Sequence, residues 1–392
     1  MFQLSQPEIT DEDITSVVTA LREGWVSTSS PGVAKFSRSF SQRLGVNHAL
    51  AVNSGTSALH LALLAAGVTE RDLVIAPTLT FVAPINTIKY IGAEPIFIGY
   101  NKYLTIDVRS LATFVRSQLD FDGRQAIHRE SGRKVSAIIL VHTFGTVCDI
   151  ESIKRICDPV NIKIIEDATE ALGSRYIYSD SVTRYAGTLS SFGCFSFNGN
   201  KLITAGAGGM VVTSDSHSYE IMRHLASQAK ADPIFYEHDK VGYNYMMAAV
   251  NSALVGSQFS RLDSILKKKR TIHETYVRLT KGIESFAVLE SPPNCVSSYW
   301  LNTIIIPRVS TQAQQKEFID HMQTVGISVR PIWRLNHLQS QYKQCYYYHL
   351  DRSSDEGNYS INSYFNVPSD TRLTYSNLEN ICTMIHNYAE EK

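Results

Sequence analysis

Between residues 48 and 215 the chain repeats one pattern: a short apolar run, a turn, a stretch of helical periodicity, then another apolar run. Strands covered by helices on both faces read as unbroken apolar runs, so this alternation predicts an α/β fold with a mostly parallel sheet built from βαβ units. The runs place strands at 48–53, 72–76, 95–98, 136–142, 162–166, 192–197 and 210–213, with helices over 58–66 and 84–91. From 247 the texture changes to one long helix, 247–279, followed by strands at 300–306 and 327–332 and helices at 312–325 and 375–389. The chain therefore divides into a large domain, 1–250, whose N-terminal segment carries a helix at 11–23, and a smaller C-terminal α+β domain, 251–392. Ser27 to Gly32 read as a Ser-rich turn, the polar stretch 120–134 as an excursion between strands, and no internal repeat is visible.

Lys plus Arg equals Asp plus Glu at 37 each, which removes any global field for drawing in nucleic acid or an anionic membrane. A charged ligand must be caught locally. No run of 18 apolar residues occurs, and the first residues carry acids where a leader would be apolar, so a soluble, cytoplasmic protein is expected. The six cysteines, at 148, 157, 194, 295, 345 and 382, include no CxxC pair and predict reduced thiols in place of a disulfide framework. The basic run Lys267-Lys268-Lys269-Arg270 reads as a solvated helix face.

Chemistry concentrates in three segments. Asn53-Ser54-Gly55-Thr56-Ser57 lies at a strand-to-helix junction. Amides at a helix start, opened by a glycine and flanked by hydroxyls, bind anions; the same residues also make an ordinary capped helix. The motif is neither a Walker loop nor a dinucleotide fingerprint. The apolar strand 162–166 runs into Glu166, Asp167 and Glu170, at the edge where open parallel sheets bind ligands, although an acid there also serves as a helix cap. Strand alternation turns Glu166 and Asp167 to opposite faces, so one of the two points into a site. Lys201 follows Phe195-Ser196-Phe197-Asn198-Gly199-Asn200 and precedes Gly206-Ala207-Gly208-Gly209. A lysine among small residues can lose enough solvent to react as a free amine with a carbonyl, while most lysines are solvated. Together, a phosphate cradle, a carboxylate and an amine are the parts pyridoxal 5'-phosphate requires. No HExxH pair and no GxSxG elbow occurs, and no metal is expected.

In these segments the sequence resembles the sugar aminotransferases of the DegT/DnrJ/EryC/StrS family, pyridoxal-phosphate enzymes of fold type I. The matching strings run in family order over nearly the whole chain: Gly24-Trp25-Val26-Ser27-Thr28, Asn53-Ser54-Gly55-Thr56-Ser57-Ala58-Leu59, Thr80-Phe81-Val82-Ala83, Gly92-Ala93-Glu94-Pro95, His142-Thr143-Phe144-Gly145, Glu166-Asp167-Ala168, Ser196 to Lys201 and Gly242-Tyr243-Asn244-Tyr245. The Ser196 to Lys201 string and Arg330-Pro331-Ile332-Trp333 look most like the branch acting on UDP-linked 4-keto-6-deoxy-hexosamines.

The resemblance implies that Lys201 tethers the cofactor and moves the proton, and that Asp167 holds the ring nitrogen. Phe81 would stack on the ring, Gly55, Thr56 and Ser196 would bind the phosphate, and Glu170 would sit beside the cofactor. Asn244 would reach the phosphate from a second subunit, making a homodimer with shared sites. Substrate contacts are expected from Thr28, Ser30, His142, Arg330 and Trp333, with Asn302 a further candidate; Trp300 and Tyr299 read equally as core of the small domain. The implied reaction passes nitrogen from L-glutamate to a nucleotide-linked 4-keto-6-deoxy sugar, UDP-linked by branch and dTDP-linked as the alternative, for bacterial surface glycans. A dehydratase of the same family typically carries histidine in place of the lysine, so Lys201 argues against it; a non-catalytic pyridoxal-binding regulator and a nicotinamide dehydrogenase are the readings from other classes, the second lacking its glycine fingerprint. Many members have Asn-Tyr-Arg-Met where this chain has Asn244-Tyr245-Met246-Met247.

Overall fold

The apolar runs become the strands of one sheet in the order His48–Val52, Gly209–Thr213, Phe192–Ser196, Lys163–Asp167, Lys134–Val141, Leu73–Pro77, Glu94–Ile98 and Tyr346–Tyr348. The computed structural model describes residues 1–232, 234–350 and 359–390. Gly209–Thr213 is antiparallel to both of its neighbours, and the remaining pairs along this order are parallel. Every other strand in the order therefore points the same way, and their carboxyl ends collect along one edge. Residues such as Leu73, Val74, Ile75 and Ala76 are fully buried, which explains why the strands read as continuous apolar runs.

Two cores lie on the two faces of this sheet. One gathers the helices Gly55–Ala65 and Val82–Tyr90 around Leu61, Ile85 and Ile165. The other packs Pro31–Leu44, Val108–Gln118 and Ile150–Cys157 beneath an aromatic cluster of Phe36, Phe40, Phe195, Phe197 and Phe259. Pro31–Leu44 was not expected as a helix, although both ends are signalled. The Ser30 hydroxyl accepts the Gly32 amide at 3.1 Å, Pro31 opens the first turn, and Gly45 ends the helix at φ 69°.

The single helix expected over 247–279 is two, Ala249–Ser260 and Leu262–Leu279. Arg261 lies between them with non-helical backbone and reaches Asp13 Oδ2 and the Glu8 carbonyl, both at 2.5 Å. Ala249–Ser260 packs on the helices Asp11–Arg22 and Pro31–Leu44. A second sheet, ordered Ala287–Val288, Asn302–Ile305, Tyr364–Val367 and Arg330–Pro331, has its own core of Tyr276, Ile304, Phe318, Phe365 and Ile381 under Leu262–Leu279, Gln312–Thr324 and Tyr375–Glu390. The strands expected at 300–306 and 327–332 are thus shorter than the sequence indicated. Stretch 120–134 holds two short hairpin strands, Leu119–Phe121 and Ala126–His128. Within the basic run Lys267, Lys268 and Arg270 are exposed, but Lys269 turns inward and is only 2% exposed, a departure from the expected solvated face. All six cysteines are free thiols. Among the described residues no helix is long and apolar enough to cross a membrane.

The aromatic cluster gives a stability test. Phe40 is fully buried, edge-on to Phe195 at 5.0 Å and stacked on Phe259 at 5.1 Å. Phe40→Ala should cost about 3–5 kcal/mol, read as a lower denaturant midpoint with an unchanged slope.

Candidate active site

Loops at the carboxyl edge of the sheet close on a cavity of about 350 Å³. One wall is the start of the helix Gly55–Ala65, capped by Ser54, whose hydroxyl accepts the Ser57 amide at 3.0 Å. The first amides of a helix have no carbonyl partner within it, and here Gly55 and Thr56 line the cavity. A Cβ on Gly55 would lie 2.9 Å from Cβ of Ser196 and 3.0 Å from Cγ2 of Thr169, while one on Gly209 would lie 2.4 Å from the Ser54 carbonyl oxygen. Four segments thus meet with no room for a side chain at either glycine, and Ser196 lies beside the helix start. That combination suits an anion.

Asp167, the last residue of its strand, lines the same cavity. Its Oδ1 accepts the Thr169 amide at 3.0 Å. Burial pushes its pKa up, against the pull of the Thr169 hydrogen bonds and of the Lys201 and His142 charges, so a donor or cation placed in the cavity would relieve the carboxylate. Glu166 faces the other way, as strand alternation requires. It accepts the amides of Gly187 and Leu189, each at 2.7 Å, the Ser190 hydroxyl at 3.0 Å and Nε2 of His142 at 2.9 Å. Adjacent acids therefore have separate uses, one structural and one lining the cavity.

Lys201 Nζ stands 3.2 Å from Glu170 Oε1 and 3.9 Å from the centre of the Trp300 ring. Its loop is held from outside. The Gln258 side chain both accepts the Thr204 amide at 3.0 Å and donates to the Thr204 carbonyl at 2.8 Å, while Asn251 donates to the Ala205 carbonyl at 2.6 Å. Glu170 Oε2 accepts the Phe144 amide at 2.9 Å, and Phe144 sits at φ 53° to present it, a left-handed conformation costing about 1–2 kcal/mol for a residue with a Cβ. Burial raises the Glu170 pKa; Lys201 and the Phe144 amide draw it down and Asp167 adds repulsion. Phe81, a residue 54% exposed, stands at the cavity with its ring centre 6.3 Å from that of Trp333, which also lines the space.

Eight expected residues thus share the cavity within one chain: Gly55, Thr56, Phe81, Asp167, Glu170, Ser196, Lys201 and Trp333. Others lie elsewhere. His142 was expected to touch substrate, but it is fully buried and occupied on both nitrogens, Nδ1 accepting the Cys148 amide at 3.2 Å and Nε2 meeting Glu166. Ser30 uses its hydroxyl as a helix cap, beside a half-buried Thr28. Arg330 is exposed on the small sheet, with Nη1 donating to the Val329 carbonyl. Asn302 is buried against His273 and Ser369. Asn244 is exposed and outside its own chain's cavity, its carbonyl accepting from Asn53 Nδ2 at 3.0 Å. Met246, in the place of the family arginine, packs half-buried against the core beside Val52. Further lining residues, Trp300 and Thr80 among them, were not among the expected site residues. Trp300 is cavity wall, whereas Tyr299 stacks on His273 at 3.8 Å. Thr80 also lines the cavity, and its buried hydroxyl has no partner among the described residues.

The family model for the DegT/DnrJ/EryC1/StrS aminotransferases matches residues 7–386. The chain is 34% identical over 388 residues to the GDP-perosamine synthase of Escherichia coli O157:H7, covering 99% of this chain and 98% of that one. It is 32% identical over 391 residues to the GDP-perosamine synthase of Vibrio cholerae, covering 99% of each. Among solved structures, the PMP form of the putative sugar aminotransferase Spr1654 from Streptococcus pneumoniae superposes with a TM-score of 0.85 at 22% identity over the whole of both chains. Helicobacter pylori PseC, an aminotransferase involved in the biosynthesis of pseudoaminic acid, does so with 0.84 at 24%, again over both whole chains.

Pyridoxal 5'-phosphate fits the donor set on grounds internal to this cavity: a side-chain-free cradle for its phosphate, a desolvated carboxylate for its ring nitrogen, an amine for its aldehyde and a spare hydroxyl on Thr80. Filling the cradle should be costly. Gly55→Ala should displace Ser196 or Thr169 at about 1–3 kcal/mol, weakening cofactor affinity roughly tenfold or more, measured by titrating the apo-protein with pyridoxal phosphate and following absorbance.

Proposed function

The chain belongs to the DegT/DnrJ/EryC1/StrS family of pyridoxal-phosphate-dependent sugar aminotransferases, and on that premise we propose that it transfers the amino group of L-glutamate to the 4-keto carbon of a GDP-linked 4-keto-6-deoxyhexose. The observation that carries the reading is the convergence of Lys201, Asp167 and the Gly55–Thr56 helix start on one cavity. The bound cofactor supplies an electron sink that delocalises the carbanion formed when an amino acid loses its α-proton.

The protein's own residues do the rest. The amides of Gly55 and Thr56 and the hydroxyls of Thr56 and Ser196 hold the dianionic phosphate at the helix start. Asp167 keeps a proton on the ring nitrogen by charge. Lys201 Nζ would carry the α-proton away from the donor carbon and, in the second half-reaction, deliver one to the sugar carbon that receives nitrogen. Glu170, hydrogen-bonded to Nζ, orients it and accepts its charge when protonated. Phe81, Trp300 and Trp333 exclude water from these transfers. Asn244 serves the cavity of a second copy in this reading, which its exposure and its position outside its own cavity support.

The nucleotide is where the proposal departs from the UDP expected on sequence. Relatives matching 99% of the chain at 32% and 34% identity carry the name GDP-perosamine synthase, which supports guanosine over uridine or thymidine. Surface-glycan synthesis is the use proposed for the amino sugar. GDP-, UDP- and dTDP-linked 4-keto-6-deoxy sugars should each be offered with glutamate and the products identified by mass and NMR. Preferred amination of the GDP sugar is expected, and preference for a UDP or dTDP sugar would overturn the nucleotide assignment. Lys201→Ala should lose about 10³-fold or more in turnover and no longer convert the cofactor absorbance on adding glutamate; a variant that still turned over would remove Lys201 from its role.

A further inference from the structure

Lys269 lies midway along Leu262–Leu279, and its burial is unusual for an amine with no carboxylate bonded to it among the described residues. Nζ donates to the Trp300 carbonyl at 2.9 Å and to the Ser369 carbonyl at 2.6 Å. Asp370, the acid that acts on it through charge, gives its own oxygens to Arg372. Burial brings the Lys269 pKa down to about 7, and a neutral amine has two N–H groups, matching the two carbonyls. One turn further, His273 stacks on Tyr299 with ring centres 3.8 Å apart and bonds Asn302 Oδ1 at 2.8 Å. Residues four apart on a helix share a face, so a single face of this helix grips both Tyr299 and Trp300. Tyr299 is held at φ 48°, a backbone that persists only where its surroundings enforce it.

From that grip Trp300 extends to the reaction centre. Its Nε1 donates to the Asn200 carbonyl at 2.8 Å, and its ring face covers Lys201 Nζ at 3.9 Å. An aromatic face attracts a cation, more strongly once water is excluded. The carbonyls that Lys269 joins come from segments 69 residues apart, and Ser369 also accepts the Asn302 amide at 2.8 Å. Packing alone would be served by an apolar side chain without the cost of burying an amine.

We propose that Lys269 is a positioning residue for catalysis: by tying the Trp300 carbonyl to that of Ser369 it holds the indole face against the Lys201 nitrogen, where it stabilises that nitrogen's positive charge. Around Lys201 the facing charges are Glu170 and Asp167; around Lys269 they are Asp370 and, one turn away, His273. None of these is altered in the test.

The test uses the pyridoxal-phosphate-loaded protein and reads the pH midpoint of its visible absorbance, which reports the proton on the Lys201 nitrogen. Lys269→Met and Trp300→Leu should each lower that midpoint, by about half a unit to one unit. Lys269→Gln, whose shorter side chain keeps an N–H donor group but adds an oxygen that cannot bond the carbonyls, should fall between wild type and Lys269→Met. In the Trp300→Leu background Lys269→Met should add almost nothing. A midpoint unchanged in both Lys269 variants, whatever their melting temperatures, would make Lys269 purely structural and overturn the proposal. So would a Lys269→Met shift that persists in full without Trp300. Where Lys269→Met does not fold, Lys269→Gln decides in its place: a lowered midpoint that disappears in the Trp300→Leu background supports the proposal, and an unchanged midpoint, or a shift that persists without Trp300, overturns it.

Discussion

A parallel sheet sends the carboxyl end of every strand to the same edge, and here that shared polarity assembles the site. Asn53 to Thr56, Thr78 to Phe81, Ala168 to Glu170 and Phe197 to Lys201 each follow a strand of the one sheet, so four separate loops open onto one cavity. Gly209–Thr213, antiparallel to its neighbours, contributes its start to that same edge, and this start is the glycine that lies against Ser54. Reversing or inserting one strand would carry a whole group of functional atoms to the opposite side of the molecule.

Electrostatic demands inside this edge are met locally, as a chain with balanced charge requires. Glu166 is saturated by four donors and asks nothing of a ligand. Asp167 and Glu170 are buried with fewer partners, and both are pushed toward the neutral form. Lys201 already draws Glu170 toward the carboxylate, and a donor or cation placed beside Asp167 would do the same for it, so occupancy of the cavity and the ionisation of its acids would be linked.

How much of this was legible follows from which contacts are local. Strands buried on both faces declare themselves as apolar runs, and the cradle, the acids and the lysine lie within a few residues of strand ends, where topology fixes their destination. The contacts that were missed join distant segments. His142 looks like a substrate ligand until Glu166, on the neighbouring strand, and the Cys148 amide occupy its nitrogens. Trp300 reads as core because nothing near it in sequence places Lys201 beneath its ring. Lys269 sits in a basic run that promises solvent, and its inward turn depends on carbonyls at 300 and 369. The helix break at Arg261 answers to Asp13, 248 residues away.

The last strand of the large sheet, Tyr346–Tyr348, comes from the C-terminal part of the chain and runs parallel to Glu94–Ile98. At the opposite margin Asn53 donates its amide to the Tyr245 carbonyl and Met247 donates to that of Ala51. Each margin is thus covered by a segment from later in the chain, so the amides and carbonyls that would template aggregation are withdrawn only after those segments are made. During synthesis the sheet exists with open margins until Tyr346–Tyr348 emerges, and a chain cut before it would keep Glu94–Ile98 as a bare hydrophobic edge.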